Sequence, residues 1–158
     1  MRLLNSKMAG WIGFNLVLCS GYAAPTGAQT PAFVAQYTIY KGELRLGEAH
    51  LALAYPQPTH AVYTTKIKPV GFLSWLVKPV TEQAAWQIQN QTLQPLHYQF
   101  DSGKTTTREQ VHFDWQQREV WDSGAKPWKL PLPDHTLDFA SVRFALLQDI
   151  SAGKTELS

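Results

Sequence analysis

The chain has 158 residues, of which 44% are hydrophobic and 16% are charged, with 14 basic residues, 12 acidic residues and one cysteine, Cys19. This length fits one domain with a sizeable core. The absence of a sustained basic stretch argues against nucleic acid as a partner. A single cysteine excludes a disulfide within the chain.

Residues 1–23 have the three parts of a secretory signal peptide: a basic start with Arg2 and Lys7, a mostly apolar run over residues 8–18, and small residues before a cleavage point. The apolar run is too short to cross a bilayer comfortably. We therefore predict export to a bacterial periplasm, with cleavage after residue 23 or as far along as residue 28. The alternatives are an uncleaved membrane anchor and a lipoprotein attached through Cys19, against which the bulky Leu18 argues.

Removal of this segment takes away two basic residues and no acidic one, which leaves a mature chain with 12 acidic and 12 basic residues. Cys19 also leaves, so the mature chain must be stabilised by packing alone, which suits a periplasm. We predict a flexible leader over residues 24–31 and a single domain over residues 32–158.

Alternating polar and apolar residues predict seven strands of an antiparallel meander. In the second strand the apolar positions change from even to odd numbers at Gly47, which predicts a β-bulge that bends the sheet. Tight turns are predicted at Asn90-Gln91 and Ser102-Gly103. The predicted strands cover residues 33–41, 44–55, 61–68, 81–89, 93–101, 105–115 and 118–122.

The turn at Ser102-Gly103 sets a register for its hairpin. A two-residue turn there pairs Phe100 with Thr105 and Tyr98 with Thr107, and it gathers most apolar side chains on one face.

A helical period follows the strands. Thr136 is the predicted N-cap and Gly153 the predicted end, and an apolar face forms from Phe139, Val142, Leu146 and Ile150. The opposite face, with Arg143, Gln148 and Asp149, is predicted to be exposed to solvent. The predicted fold class is mainly β (α+β), a strongly curved, half-barrel-like antiparallel meander with one short helical segment and one C-terminal amphipathic helix packed on it.

The stretches YTIYKGELRLGEAHLAL, KPVGFLSWLVKPVTEQAAW, LQPLHYQF, VHFDW and KPWKLPLPDHTLDFASVRFALLQDI resemble, in this order, the exported bacterial proteins grouped as domain of unknown function 3108. The resemblance covers residues 33–152. It implies a periplasmic or envelope protein with a strongly curved antiparallel sheet, without an established activity or catalytic residues. Members continue past the helix with further strands, which raises the expectation of a domain truncated at its C-terminus.

Candidate chemistry is scarce. His97 and His112 lie on the two arms of the Ser102-Gly103 hairpin, but its register separates their rings by about 13 Å, which argues against a metal site. The mature chain has no cysteine, no nucleophile elbow and no glycine-rich phosphate loop. We expect no enzyme activity, no cofactor and no metal; a hydrolase built from residues on distant strands is the third-ranked alternative.

The apolar segment KPVGFLSWLVKP, residues 68–79, is the candidate site. Pro69 and Pro79 cannot donate to a strand ladder, so the segment leaves the sheet at both ends and forms a short helix or turn. In one interpretation it is a plug that buries Phe72 and Trp75 over the mouth of the curved sheet. In the other it is a lid or a membrane-contacting loop, with Lys68 and Lys78 at lipid phosphates.

Two functions rank above the hydrolase. The first is a non-catalytic envelope protein that holds a lipid, a lipoprotein acyl chain or an apolar peptide in a sheet cavity, with an entrance formed by Phe72, Leu73, Trp75 and Leu76. The second is a structural or protein-interaction module with a solid core and an exposed apolar patch. The many aromatic residues fit either a filled core or a lined cavity.

Overall fold

The computed structural model describes residues 30–89, 92–104 and 106–151. The predicted signal peptide with Cys19, the leader up to residue 29, the Asn90-Gln91 turn, Thr105 and Gly153 lie outside the described residues.

One antiparallel sheet contains the described strands in chain order, and its first and last strands are not paired with each other. A helix of one turn lies between the third and fourth strands, and a longer helix follows the last strand. The mainly-β class, with an open curved meander and a C-terminal helix packed on it, is confirmed. The elements are β1 (Phe33–Lys41), β2 (Leu44–Gln57), β3 (His60–Pro69), α1 (Leu73–Leu76), β4 (Val80–Gln89), β5 (Thr92–Asp101), β6 (Arg108–Asp114), β7 (Glu119–Asp122), β8 (Trp128–Pro131) and α2 (Phe139–Ser151).

The edge strand β8 was not predicted from the sequence. It lies in a proline-rich stretch, KPWKLPLP, in which the prolines obscure the strand pattern. Proline is tolerated there because, among the described strands, β8 pairs only with β7 and forms an edge of the sheet.

The bulge predicted at Gly47 is confirmed. Ile39 pairs with Gly47 but Tyr40 pairs with Arg45, so Leu46 is the extra residue in β2. Gly47 is required because a Cβ atom at this position would lie 2.8 Å from the carbonyl oxygen of Lys68 on β3. An extra residue on one strand increases the local twist and bends the sheet.

A second bulge in β5 was not predicted. Ala85 of β4 pairs with His97, whereas Trp86 pairs with Pro95, so Leu96 has no partner in the register. A bulge accommodates Pro95 inside a central strand, because the missing N–H falls where the ladder is already interrupted.

The core lies on the concave face of the sheet, between β2–β7 and α2. Its centre is Trp86, which is 1% exposed. The Trp86 ring stacks on Tyr63 at 6.3 Å, and Phe144 from α2 packs against both rings. Aromatic side chains of the strands and the helix therefore fill the middle of the curve.

The N-cap of α2 is Asp138, and the prediction of Thr136 was wrong. The Asp138 carboxylate accepts hydrogen bonds from the backbone N–H groups of Ala140 and Ser141, at 2.8 and 2.7 Å. Its second oxygen accepts one from Trp86 Nε1 at 2.8 Å. Burial raises the pKa of Asp138, which these hydrogen bonds oppose. Thr136 instead donates to the carbonyl of Pro133.

The predicted inward face of α2 was also wrong. Ala140, Ser141 and Phe144 face the sheet, whereas Phe139 and Ile150 are 71% and 68% exposed. Polar contacts set this rotation: Asp138 is bound to Trp86 at the start of the helix. One turn later Arg143, predicted to face water, donates to Glu82 at 2.6 Å. Apolar periodicity alone could not reveal these two contacts.

The register of the β5–β6 hairpin differs from the prediction. Phe100 pairs with Glu109, and His97 pairs directly with His112, so the turn at Ser102-Gly103 is the start of a longer loop. Asp101 explains the change, since its carboxylate accepts from Gly103 N at 2.7 Å and from Arg108 Nε at 3.0 Å. The shift is an even number of residues, so the buried and exposed faces remain as predicted.

The Glu82–Arg143 contact generates a stability prediction. Glu82 is buried and also accepts from Tyr98 Oη at 3.1 Å, while the Arg143 side chain is 43% exposed. Arg143→Met keeps most of the side-chain stem but leaves a buried carboxylate without its cation, so we expect the free energy of unfolding in urea to fall by about 1–3 kcal/mol. The double variant Glu82→Gln, Arg143→Met should recover part of this loss. If the loss in the double variant equalled the sum of the losses in the two single variants, Glu82 and Arg143 would not be coupled.

Candidate functional site

Four loops lie at the same end of the meander, and we call it the loop end. They are the loops β1–β2, β3–β4, β5–β6 and β7–β8, because alternate hairpins of an antiparallel sheet turn at the same edge. The candidate segment, residues 68–79, forms the β3–β4 loop. The loop end therefore brings together residues that are far apart in sequence.

The candidate segment leaves the sheet between its two prolines, as predicted. Pro69 pairs with Gly47 as the last residue of β3, and Val80 begins β4 directly after Pro79. Gly71 adopts a φ of 59°, which turns the chain into α1. Ser74 Oγ donates to the Gly71 carbonyl at 2.7 Å, and Val77 N donates to the Leu73 carbonyl at 2.8 Å.

The side chains of α1 project into solvent. Trp75 is 91% exposed, Leu76 75% and Phe72 61%, whereas Leu73 is partly buried. The plug hypothesis, which required burial of Phe72 and Trp75, was therefore wrong. The four predicted site residues do lie together in one helical turn, and we call Phe72, Trp75 and Leu76 the apolar tip.

The apolar tip is supported on both sides by backbone contacts. On the β2 side, Val70 N donates to the carbonyl of Leu46, the bulged residue, at 3.0 Å. On the β5 side, Gly103 lies so close to Lys78 that a Cβ atom would stand 2.4 Å from the Lys78 Cβ. The exposed side chains thus extend from a segment that is fixed to the sheet at both ends.

Two of the surface grooves formed by the described residues have no lining residue from the apolar tip. One, of about 610 Å³, lies along the β6–β8 edge against Trp121 and Trp128, with Asp114 and Glu119 among its polar residues. The other, of about 590 Å³, lies at the opposite end from the tip, beside Trp115 and Arg118. The structure therefore does not place the four predicted residues at the entrance of either groove.

The His97–His112 pair is a feature that sequence reasoning missed, because the assumed register separated the rings. Their centroids are 4.8 Å apart on the convex face, and His112 stacks on Trp121 at 5.2 Å. The pKa of His97 is lowered by burial and, secondarily, by the charge of His112. Within the described residues, no group of three or more His, Cys, Asp or Glu side chains is arranged to hold a metal ion.

A family model described as a protein of unknown function (DUF3108) matches residues 36–156. The chain belongs to the DUF3108 family. This confirms the resemblance drawn from the strand and loop motifs. Searches of curated proteins and of solved structures returned no match. In the described part of this DUF3108 protein, no helix has both the length and the apolar character needed to cross a bilayer.

The close packing of Gly103 on Lys78 can be tested by comparing two glycines. Gly42 and Gly103 both have positive φ angles, 62° and 75°, but a Cβ at Gly42 would meet nothing within 4 Å. Gly42→Ala should therefore cost only backbone strain, about 1–2 kcal/mol of unfolding free energy. Gly103→Ala should cost more, because the added methyl displaces Lys78. Equal losses in urea titrations would contradict the support that we assign to the β5–β6 loop.

The His97 pair predicts a dependence of stability on pH. Because the folded-state pKa of His97 lies below its usual 6.5, the unfolded chain binds the proton first as the pH falls. Between about pH 7 and about pH 5, the free energy of unfolding of the wild type should fall relative to that of His97→Gln. His112→Gln should remove the repulsion but not the desolvation, so it should flatten the wild-type curve only in part. If the free energies of unfolding of the wild type and His97→Gln changed equally with pH, the lowered pKa of His97 would be contradicted.

Proposed function

We propose that this DUF3108 protein is a non-catalytic protein of the bacterial cell envelope that binds lipid through its apolar tip. The observation that carries the proposal is the 91% exposure of Trp75 on a turn held to the sheet at both ends.

The exposed side chains of the tip can still gain free energy by leaving water. Burial of a large apolar side chain is worth about 1.5–3 kcal/mol, so three neighbouring side chains that stay in water retain a considerable driving force for binding. A single exposed leucine needs no explanation, but a contiguous apolar patch typically marks an interaction site. Phe72, Trp75 and Leu76 form such a patch within one turn.

The composition of the tip favours a lipid surface over an enclosed ligand. A tryptophan ring is apolar with one polar N–H, and this combination suits the boundary between headgroups and acyl chains. Phe72 and Leu76 add purely apolar surface beside it. Since neither groove is lined by the tip, the lipid would meet the tip from outside, and not through the mouth of a sheet cavity.

The compartment and the lack of catalysis rest on the sequence. The signal-peptide pattern of residues 1–23 would direct the chain out of the cytoplasm. In the periplasm the protein would have access to a membrane surface. The mature sequence carries no nucleophile elbow, cysteine or phosphate loop that would indicate an enzyme.

A protein-interaction module is the second candidate function, and α2 favours it. The solvent face of this helix presents Phe139, Val142 and Ile150, all exposed. The buried aromatic cluster beneath the helix agrees with the solid core that this alternative expects. The two candidates differ in which apolar surface a partner covers.

Vesicle co-sedimentation of the mature chain tests the proposal. With vesicles of phosphatidylethanolamine and phosphatidylglycerol, we expect the wild type to bind, with a blue shift in tryptophan fluorescence as Trp75 leaves water. Phe72→Ser, Leu76→Ser should weaken partitioning at least tenfold, because each truncated side chain removes more than about 1 kcal/mol of apolar transfer energy.

Phe139→Ser, Ile150→Ser is the matched control, since it removes one phenylalanine and one aliphatic side chain of similar exposure from α2. It should leave vesicle binding unchanged. Absence of wild-type binding to any vesicle would refute the proposal. A loss with Phe139→Ser, Ile150→Ser as large as that with the tip variant would refute the assignment to the tip.

A further inference from the structure

Lysines accumulate at the loop end of the sheet. Of the seven lysines in the described residues, Lys66 lies farther inside β3, opposite Thr81, and Lys129 in β8 forms an ion pair with Glu119. The other five are all exposed and distribute over all four loops or the strand residues beside them: Lys41, Lys68, Lys78, Lys104 and Lys126.

The carboxylates near these five lysines are paired mainly with other groups, although the charge of Lys78 helps to lower the pKa of Asp101. None of the five lysines forms an ion pair among the residues that the structure describes. Lys68 lies opposite Glu48 in the β2–β3 register, but the Glu48 carboxylate binds Arg45. Asp101, the acid beside the β5–β6 loop, pairs with Arg108 at 2.9 Å.

The other acidic side chains at the loop end either accept hydrogen bonds from the backbone or are fewer than the exposed lysines. The buried Asp122 accepts hydrogen bonds from the backbone N–H groups of Gln110 and Gly124. Glu43 and Glu109 remain exposed, against five exposed lysines. The loop end therefore carries net positive charge around an apolar centre.

We propose that the lipid surface bound by the apolar tip is an anionic phospholipid leaflet, whose headgroup phosphates are contacted by these five lysines; the inference rests on the proposed function. Lys68 and Lys78 bracket the tip within its own segment. Lys104 follows Gly103, the residue packed against Lys78, so it lies on the loop that contacts the end of the segment carrying the tip. Lysine side chains can keep their stems on apolar surface while their ammonium groups reach phosphates.

The arrangement also defines how the protein would lie on the membrane. Neighbouring strands are about 4.8 Å apart, so successive hairpin loops at one edge are spaced by about 10 Å. An edge that carries a lysine on every loop would stand on the leaflet with its strands steeply inclined to the membrane plane. The tip would enter the interfacial region and the flanking loops would stay at headgroup level.

Charge and apolar burial complement each other energetically. A short apolar contact alone gives marginal, reversible membrane binding, and a basic cluster supplies the second attraction that makes it stable. Each lysine near an anionic surface strengthens binding by about fivefold at low ionic strength. The effect decreases within a Debye length, about 10 Å at 0.1 M salt, so it should be sensitive to added salt.

Paired vesicle preparations test the inference on the mature chain: phosphatidylcholine alone, and phosphatidylcholine mixed with phosphatidylglycerol. We expect the anionic vesicles to bind the wild type at least tenfold more tightly, and salt to remove most of the difference. Lys78→Gln, Lys104→Gln should reduce binding to anionic vesicles about tenfold or more and leave binding to neutral vesicles unchanged.

Arg118→Gln is the control, because Arg118 lies in the β6–β7 turn at the opposite end of the sheet and its loss removes one positive charge and only one exposed ion pair, which contributes little to stability. It should bind anionic vesicles nearly as the wild type does. Equal wild-type binding to neutral and anionic vesicles, or a loss with Arg118→Gln as large as that with the lysine variant, would overturn the anionic assignment and leave the lipid-binding proposal intact. No binding to either vesicle would overturn both.

Discussion

The close approach of β2 and β3 at Gly47 is the constraint on which the rest of the structure depends. A side chain there would collide with the Lys68 carbonyl, so only glycine allows the two backbones to meet while β2 carries an extra residue. The bulge bends the sheet around its core, and the bulged Leu46 supplies the carbonyl that holds Val70. One local irregularity thus creates the concave face and fixes the start of the segment that carries the apolar tip.

The helix α2 is positioned by polar contacts, and these reverse the orientation that its apolar pattern favours. Asp138 binds both the helix start and Trp86, and Arg143 binds the buried Glu82. An unpaired buried carboxylate costs more than an exposed valine or isoleucine does, so the helix rotates to satisfy the acids. Small residues, Ala140 and Ser141, then allow it to approach the sheet closely. The result is a filled core with apolar side chains on the outer face of the helix.

Sequence reasoning succeeded where a single strand or a single residue type decides the outcome. The parity change at Gly47 and the exit of the chain between Pro69 and Pro79 are local properties, and both were predictable. The β5–β6 register was not, because Asp101 binds Gly103 and Arg108 and so closes a longer loop than the Ser-Gly pair favours. The exposure of Trp75 could not be predicted from the sequence either, because the same segment could have folded over the sheet. Only the tertiary structure decides whether Trp75 is buried or projects into solvent.

The way in which the candidate surface is assembled explains why no sequence motif identifies it. Its apolar part comes from one turn of helix, but its charges come from four loops that are adjacent only because alternate hairpins turn at the same edge. No short stretch of the sequence contains more than a part of this surface, and the chain after residue 23 has 12 acidic and 12 basic residues. The asymmetry arises on folding, because Asp101 and Glu48 form ion pairs with arginines, whereas the five lysines of the same edge form none among the described residues. A surface built in this way is recognised from the topology of the sheet, and its specificity follows from which carboxylates the fold has already neutralised.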